Sequence, residues 1–256
     1  MKIRPVLIVP ILLVAALQAD RAVAAPELTI MVEDASEPFS RADGSGYAND
    51  VVRAAYKAAG VKLTLNVVPY ARCREFLKRA LTPACFAMSW SKDLENTGIV
   101  FSDEPLFEVH ADVFLNSESQ KRPKSFADIP PGSTVGIING YEYPDDVYAM
   151  EKAGIRLERN INDSANLKML AHNRLDAIIL MTSEFDNIAR RRDTGEPRNI
   201  IRFAFQSELM KSYLAFNLKN PQGKFARDTF ERGYSLIVSS HETDRIRQHW
   251  KKLTLQ

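Results

Sequence analysis

After its first twenty-four residues the chain has no apolar run approaching the length, about 18 residues, that a membrane helix needs. Cysteine and histidine are scarce, at two and four residues. No histidine lies within a few residues of either cysteine, and His241 and His249 are eight apart, which is not a helical ligand spacing. No metal site is therefore expected. There is no Gly-x-Ser-x-Gly and no glycine-rich phosphate loop, so the hydrolases and nucleotide enzymes built on them have no support. An excess of charge of one sign is also missing. Lys and Arg total 34 against 32 for Asp and Glu, and residues 1–24 hold Lys2, Arg4, Arg21 and Asp20. The remaining 232 residues carry 31 of each sign and are neutral. A nucleic-acid partner would need a basic stripe, so none is expected. The run Arg190-Arg191-Arg192 reads as a solvated helix end.

Residues 1–24 read as a secretory signal peptide. Lys2 and Arg4 form a positive start, Val6 to Leu17 an apolar run broken by Pro10, and Ala22-Val23-Ala24 a small-residue cleavage site. Twelve apolar residues would reach only about 18 Å as a helix, short of the ~30 Å bilayer core, which argues against an anchor. A soluble periplasmic protein is expected. In that compartment an even cysteine count favours a Cys73–Cys85 disulfide, with two small buried hydrophobes as the plainer reading.

From residue 28 strands and helices alternate. Leu28 to Val32 reads as a strand, and Val51, Val52, Ala55 and Ala58 recur at helical spacing behind a cap at Asn49 or Asp50. Val61 to Val68 alternates as a second strand, Arg72 to Ala80 forms a helix, and Cys85 to Met88 is a short buried strand. The order implies a parallel sheet. A new segment opens near Phe114. It repeats the alternation: a strand at Ser133–Ile138, a helix near Asp145–Ala153, a strand from Leu157, a helix at Ser164–Asn173 and a strand at Leu175–Met181. Lys211 to Leu218 returns as a strand, and helices at 224–238 and 241–253 follow, with Trp250 packing on the first lobe. The fold class is α/β with two lobes, each a mainly parallel sheet flanked by helices. Residues 25–112 and 212–256 make the first lobe and 113–211 the second, inserted one, with two crossing strands as a hinge. A cleft is expected between the lobes, of the kind that closes on ligands by hinge bending.

Six pieces in order resemble one family. They are Glu37-Pro38-Phe39-Ser40, Gly46 through Gly60, Met88-Ser89-Trp90, Phe101-Ser102-Asp103-Glu104-Pro105, Val135-Gly136-Ile137-Ile138-Asn139-Gly140, and Leu170-Ala171-His172-Asn173-Arg174-Leu175-Asp176-Ala177. Over residues 26–253 the chain resembles the periplasmic solute-binding proteins of the amino-acid-binding type, family 3 of the bacterial extracellular solute-binding proteins. The resemblance implies a two-lobed type II periplasmic-binding-protein fold and a monomer. It also implies a small-molecule solute held without a cofactor, and a membrane permease of the ABC type or a receptor as partner. The family grips an amino acid with an Arg, a Thr and an Asp. Those positions fall here on Glu95 or Asn96, on Tyr141 and on Met181. A standard α-amino acid clamp is thus missing, because a buried carboxylate without its Arg costs several kcal/mol.

The chain offers aromatic residues instead. Phe39, Tyr70, Trp90 and Tyr141 fall in loops facing the expected cleft, where their faces suit a planar, apolar or cationic solute. Ser89, Ser91, Asn96, Glu142 and Thr182 are placed to supply hydrogen bonds, and Arg72 is expected as the only cation near the site, in place of the missing anion clamp. Plainer readings stand beside these: Trp90 and Tyr70 as packing residues, Arg72 as a solvent-facing residue of a first helical turn. The expected activity is recognition and closure without chemistry. A sensor subunit is the alternative, and a periplasmic dehydratase using Glu142 or His172 a further one.

Overall fold

The computed structural model describes residues 25–185 and 201–255; the expected leader, residues 1–24, and Arg190–Arg192 lie outside the described residues. In β1 (Glu27–Glu33) alternation buries Leu28, Ile30 and Val32 on one face. A small ribbon of β2 (Ala35–Ser36) and β3 (Ser40–Arg41) leads into α1 (Tyr47–Ala58). The residue before this helix is Gly46, not Asn49 or Asp50. Asn49 is buried inside α1, and its side-chain amide donates to Ser40 Oγ and to the carbonyls of Gly44 and Ser45. Asp50 accepts from the Trp250 indole at 2.8 Å. Asn49 thus pins the loop just before α1, and Asp50 ties α1 to the C-terminal helix 200 residues on.

β4 (Lys62–Val68) lies parallel to β1. Then come α2 (Tyr70–Lys78), β5 (Ala84–Met88) and β6 (Ile99–Phe101). β7 (Phe107–Asn116) is ten residues long, where the sequence suggested a new segment only from Phe114. β8 (Thr134–Ile138), α3 (Asp145–Lys152), β9 (Arg156–Asn160), α4 (Asp163–Ala171) and β10 (Ala177–Thr182) repeat the alternation. β11 (Ile201–Phe205) has no counterpart in the sequence reading. β12 (Leu209–Asn217), α5 (Gly223–Ser239) and α6 (Glu242–Leu255) complete the described chain.

The strands form one curled sheet in the order β4-β1-β5-β12-β7-β10-β8-β9, with β6 beside β12 and β11 beside β7. It is more mixed than two parallel sheets. β4-β1-β5 and β10-β8-β9 are parallel runs, and β6, β7, β11 and β12 bring antiparallel pairs. β12 changes partner along its length. Leu209–Ser212 pair with β7, while Tyr213, Ala215 and Phe216 pair with β5. β7 in turn passes to β10 from His110 onward. These two strands join the halves, and side chains from both line the cleft described below.

Two apolar centres fill the halves. The first gathers β1, α1, α5 and Trp250; the second gathers β8, α3, β9 and the inner face of β10. α1 and α5 touch at Gly233. A Cβ there would lie 1.9 Å from the Ala55 carbonyl oxygen, inside contact distance with backbone. Gly233→Ala must push the helices apart and is expected to cost about 2 kcal/mol or more in stability, read by urea denaturation.

Candidate functional site

The parallel strands end on one line. β1 ends at Glu33, β5 delivers Ser89, β8 delivers Asn139-Gly140-Tyr141-Glu142, and β10 ends near Met181. In open α/β sheets the crevice beyond such carboxyl ends is where small ligands sit. Here it is a narrow cleft with a cavity of about 40 Å³.

One wall is apolar. Phe39 and Phe107 stack with centroids 3.6 Å apart and planes 8° apart, beside Val109, Met181 and Met210. The other wall is polar and draws on both halves of the sheet. The Tyr141 hydroxyl donates to Glu33 Oε1. The Tyr70 hydroxyl donates to Glu142 Oε2, and Arg74 Nε donates to Glu142 Oε1 at 2.8 Å. Arg74 Nη2 also reaches Ser91 Oγ at 3.0 Å and Asp93 Oδ1 at 2.6 Å, and Lys78 Nζ donates to Asp93 Oδ2 at 2.8 Å. The rings of Tyr70 and Tyr141 meet edge to face at 5.2 Å. Gly140 makes this approach possible. It has φ +89°, and a Cβ there would lie 3.0 Å from the Ala71 Cβ and 3.2 Å from its Cα.

Of the residues expected at the site, Phe39, Ser89, Tyr141, Glu142 and Met181 line the cleft. Tyr70 and Ser91 stand behind them, bonded to Glu142 and Arg74. Ser89 donates to the Lys211 carbonyl at 2.7 Å, tying β5 to β12. Four expected residues lie elsewhere. Arg72 is exposed. The helix begins at Tyr70, so Arg74, one turn on, shares the Tyr70 face and Arg72 does not. Trp90 is 64% exposed, between two serines that hydrogen-bond within the protein. Asn96 is exposed in a turn with φ +59°, where its carbonyl accepts from Lys219. Thr182 is buried, donates to Asp112 Oδ2 at 2.6 Å and does not line the cleft. Glu33, Phe107, Asp163 and Arg74 were not anticipated. The spacing Tyr70, Arg74, Lys78 would have shown Arg74, had the helix start been set at Tyr70.

Cys73 and Cys85 are joined in a disulfide, fixing α2 to β5. Among the described residues no group of three or more His, Cys, Asp or Glu could hold a metal ion.

Burial sets the electrostatics. It pushes the Glu33 carboxyl from the ordinary 4.5 up to about 8; the Tyr141 hydrogen bond opposes this, and Asp34, Glu142 and Asp163 reinforce it. Glu142 is also raised by burial, against the pull of Tyr70 and Arg74. Burial pushes Asp93 up as well, but Lys78, Arg74 and Ser91 hold it well below the usual carboxylate range. A folded-state pKa raised above the unfolded value means the native state keeps the proton. Glu33 thus contributes stability that is complete below about pH 4.5 and lost as pH rises through about 8. Stability is expected to fall by up to about 1.4 kcal/mol per pH unit within that window. Glu33→Gln, a neutral mimic, flattens the slope. Urea denaturation at pH 5 and pH 8 checks it; equal slopes in both proteins would contradict it.

No family model matches the sequence, and no curated protein matches it. Solved structures do. An ancestral arginine-binding protein bound to arginine is 18% identical over 89% of this chain and 99% of its own, with a TM-score of 0.72. A histidine kinase sensor domain with similarity to periplasmic binding proteins is 17% identical over 87% of this chain and 95% of its own, at 0.70. The chain has the periplasmic-binding-protein fold. An arginine transport system periplasmic binding protein from Legionella pneumophila shares this fold at 14% identity, over 88% of this chain and 99% of its own, at 0.69. The Tyr141–Glu33 and Glu142–Arg74 contacts join the β8–α3 loop to β1 and α2. No helix among the described residues is long and apolar enough to cross a membrane.

Proposed function

We propose that the protein is a periplasmic solute-binding protein. It captures a small polar or aromatic, amino-acid-like solute between its lobes and passes it unchanged to a membrane transporter of the ABC type, acting as a monomer. Residues 25–112 with 212–256 form one lobe and 113–211 the other. The observation that carries this reading is the cleft itself. Strand ends from both halves converge on it, and Tyr141 and Glu142 from one side bond Glu33, Tyr70 and Arg74 on the other. Contacts of that kind break when lobes open and reform when they close on a solute.

The test is a melting-temperature panel of amino acids, amines, small carboxylates and sugars, with small-angle scattering on any hit. A true solute at a hundredfold excess over its Kd is expected to raise the melting temperature by about 5–10 °C and to make the particle more compact. A panel without any shift, and a particle that never contracts, overturns the reading.

The likeness to the kinase sensor domain supports a second reading, a subunit that reports solute to a separate membrane receptor. Deleting the gene separates the two. Lost uptake of labelled solute favours transport; intact uptake with a lost transcriptional response favours sensing. An enzyme is the weaker alternative. Glu142 is engaged by Tyr70 and Arg74, and His172 is exposed at the end of α4. Turnover of a prephenate-like acid would revive it.

A further inference from the structure

The residues lining the cleft carry a strong imbalance of sign. Glu33, Glu37, Glu142 and Asp163 all line it, and among the described residues no Lys, Arg or His does. The Arg74 guanidinium is engaged with Glu142, Ser91 and Asp93. Glu142 is thus matched within the protein. Glu33 is not: it is 2% exposed, and among the described residues it makes no ion pair. One of its oxygens accepts from Tyr141, and the other, Oε2, has no hydrogen-bond partner among the described residues. Buried carboxylates are normally paired or protonated. Glu33 lines the cleft, whose other wall is the Phe39–Phe107 stack, and the Tyr141 ring lies beside it.

From this we infer that the cleft selects a small organic cation: an amine or guanidinium on an apolar or aromatic body, with no carboxylate. The inference rests on the reading of the cleft as the solute site and deepens it. The cationic head pairs with Glu33 Oε2, and the body lies against Phe39 and Tyr141, whose ring faces also favour positive charge. Among the described residues a solute carboxylate would meet acids and no free guanidinium. The charged groups around Glu33 are Asp34 beside it, Glu142 from the β8–α3 loop and Asp163 from α4; Glu37, from the β2–β3 loop, is paired with Arg41. All four are acidic, so none of these described groups balances an ionised Glu33, and a cationic solute would. Without solute Glu33 holds a proton, consistent with its raised pKa. The cation replaces that proton, which leaves to solvent.

Matched pairs that differ by one carboxylate test this. The wild-type protein is titrated by calorimetry with 2-phenylethylamine and L-phenylalanine, with agmatine and L-arginine, and with 3-phenylpropionate. At least one amine is expected to bind about tenfold or more tightly than its amino acid, and 3-phenylpropionate not at all. Glu33→Gln is expected to weaken that amine about thirtyfold, as loss of a buried charge partner does. Should the variant not fold, the wild type suffices. Its amine affinity is expected to rise with pH, by up to about tenfold per unit, until Glu33 is ionised near pH 8. An amino acid or 3-phenylpropionate binding as tightly as the amines overturns the cation class while leaving a solute-binding protein. A pH-independent amine affinity also overturns it. If none of the five binds, the cation class falls, and the melting panel above decides separately whether the cleft binds any solute.

Discussion

Arg74→Met is expected to lower the unfolding free energy by about 3 kcal/mol at pH 7, measured by urea denaturation. Arg74 is 19% exposed and Glu142 8%, so this pair is far from a solvated surface bridge. Removing the guanidinium strands Glu142 in a buried position, and breaking a buried pair by deleting one partner costs about 3–5 kcal/mol. The lower end applies because Tyr70 still donates to Glu142 and Asp93 keeps Lys78. Arg74→Lys is expected to recover only part. A point charge cannot reach Glu142 through Nε and both Ser91 and Asp93 through Nη2 at once. Adding Glu142→Gln to Arg74→Met is expected to restore most of the loss, since the stranded charge is then gone. A cost below about 1 kcal/mol for the single change would show that the pair is solvated and not buried.

Loss of the Cys73–Cys85 disulfide is expected to cost a similar amount. The two residues are 12 apart, and cross-linking a loop of that size stabilises by about 3 kcal/mol in the chain-entropy model. Its placement gives it a second effect. Cys73 sits in α2 between Tyr70 and Arg74, and Cys85 lies in the strand that delivers Ser89. Cys73→Ala with Cys85→Ala should therefore loosen the polar wall of the cleft as well as the fold. Denaturation of the double variant reads the first effect. Solute affinity at a temperature where the variant is fully folded reads the second. Unchanged affinity there would mean that packing alone positions α2.

Most of the secondary structure was legible because periodicity follows burial. Leu28, Ile30 and Val32 alternate because one face of β1 is covered, and Val51, Val52 and Ala55 recur because α1 lies on the sheet. β7 carries the same period-two pattern, with Phe107, Val109, Ala111 and Val113 alternating with Glu108, His110 and Asp112, so the strand is legible from Phe107 and not only from Phe114. Asp112 is buried there only because Thr182 and the Ser207 amide satisfy it, 70 and 95 residues away. The site was legible to the same depth. Chain order alone brings Ser89, Tyr141, Glu142 and Met181 to strand ends. Which cation serves them depends on the helical phase of α2, and the role of Glu33 depends on Tyr141, 108 residues on. Such pairings are properties of the folded cleft, not of any local stretch.

The most direct test of the cleft reading is a crystal structure of protein purified without refolding and soaked with the amine that binds most tightly. The account places the solute between Phe39 and Tyr141, with its cationic nitrogen about 3 Å from Glu33 Oε2. A solute bound outside the cleft, or one turned so that its nitrogen avoids Glu33, would contradict it.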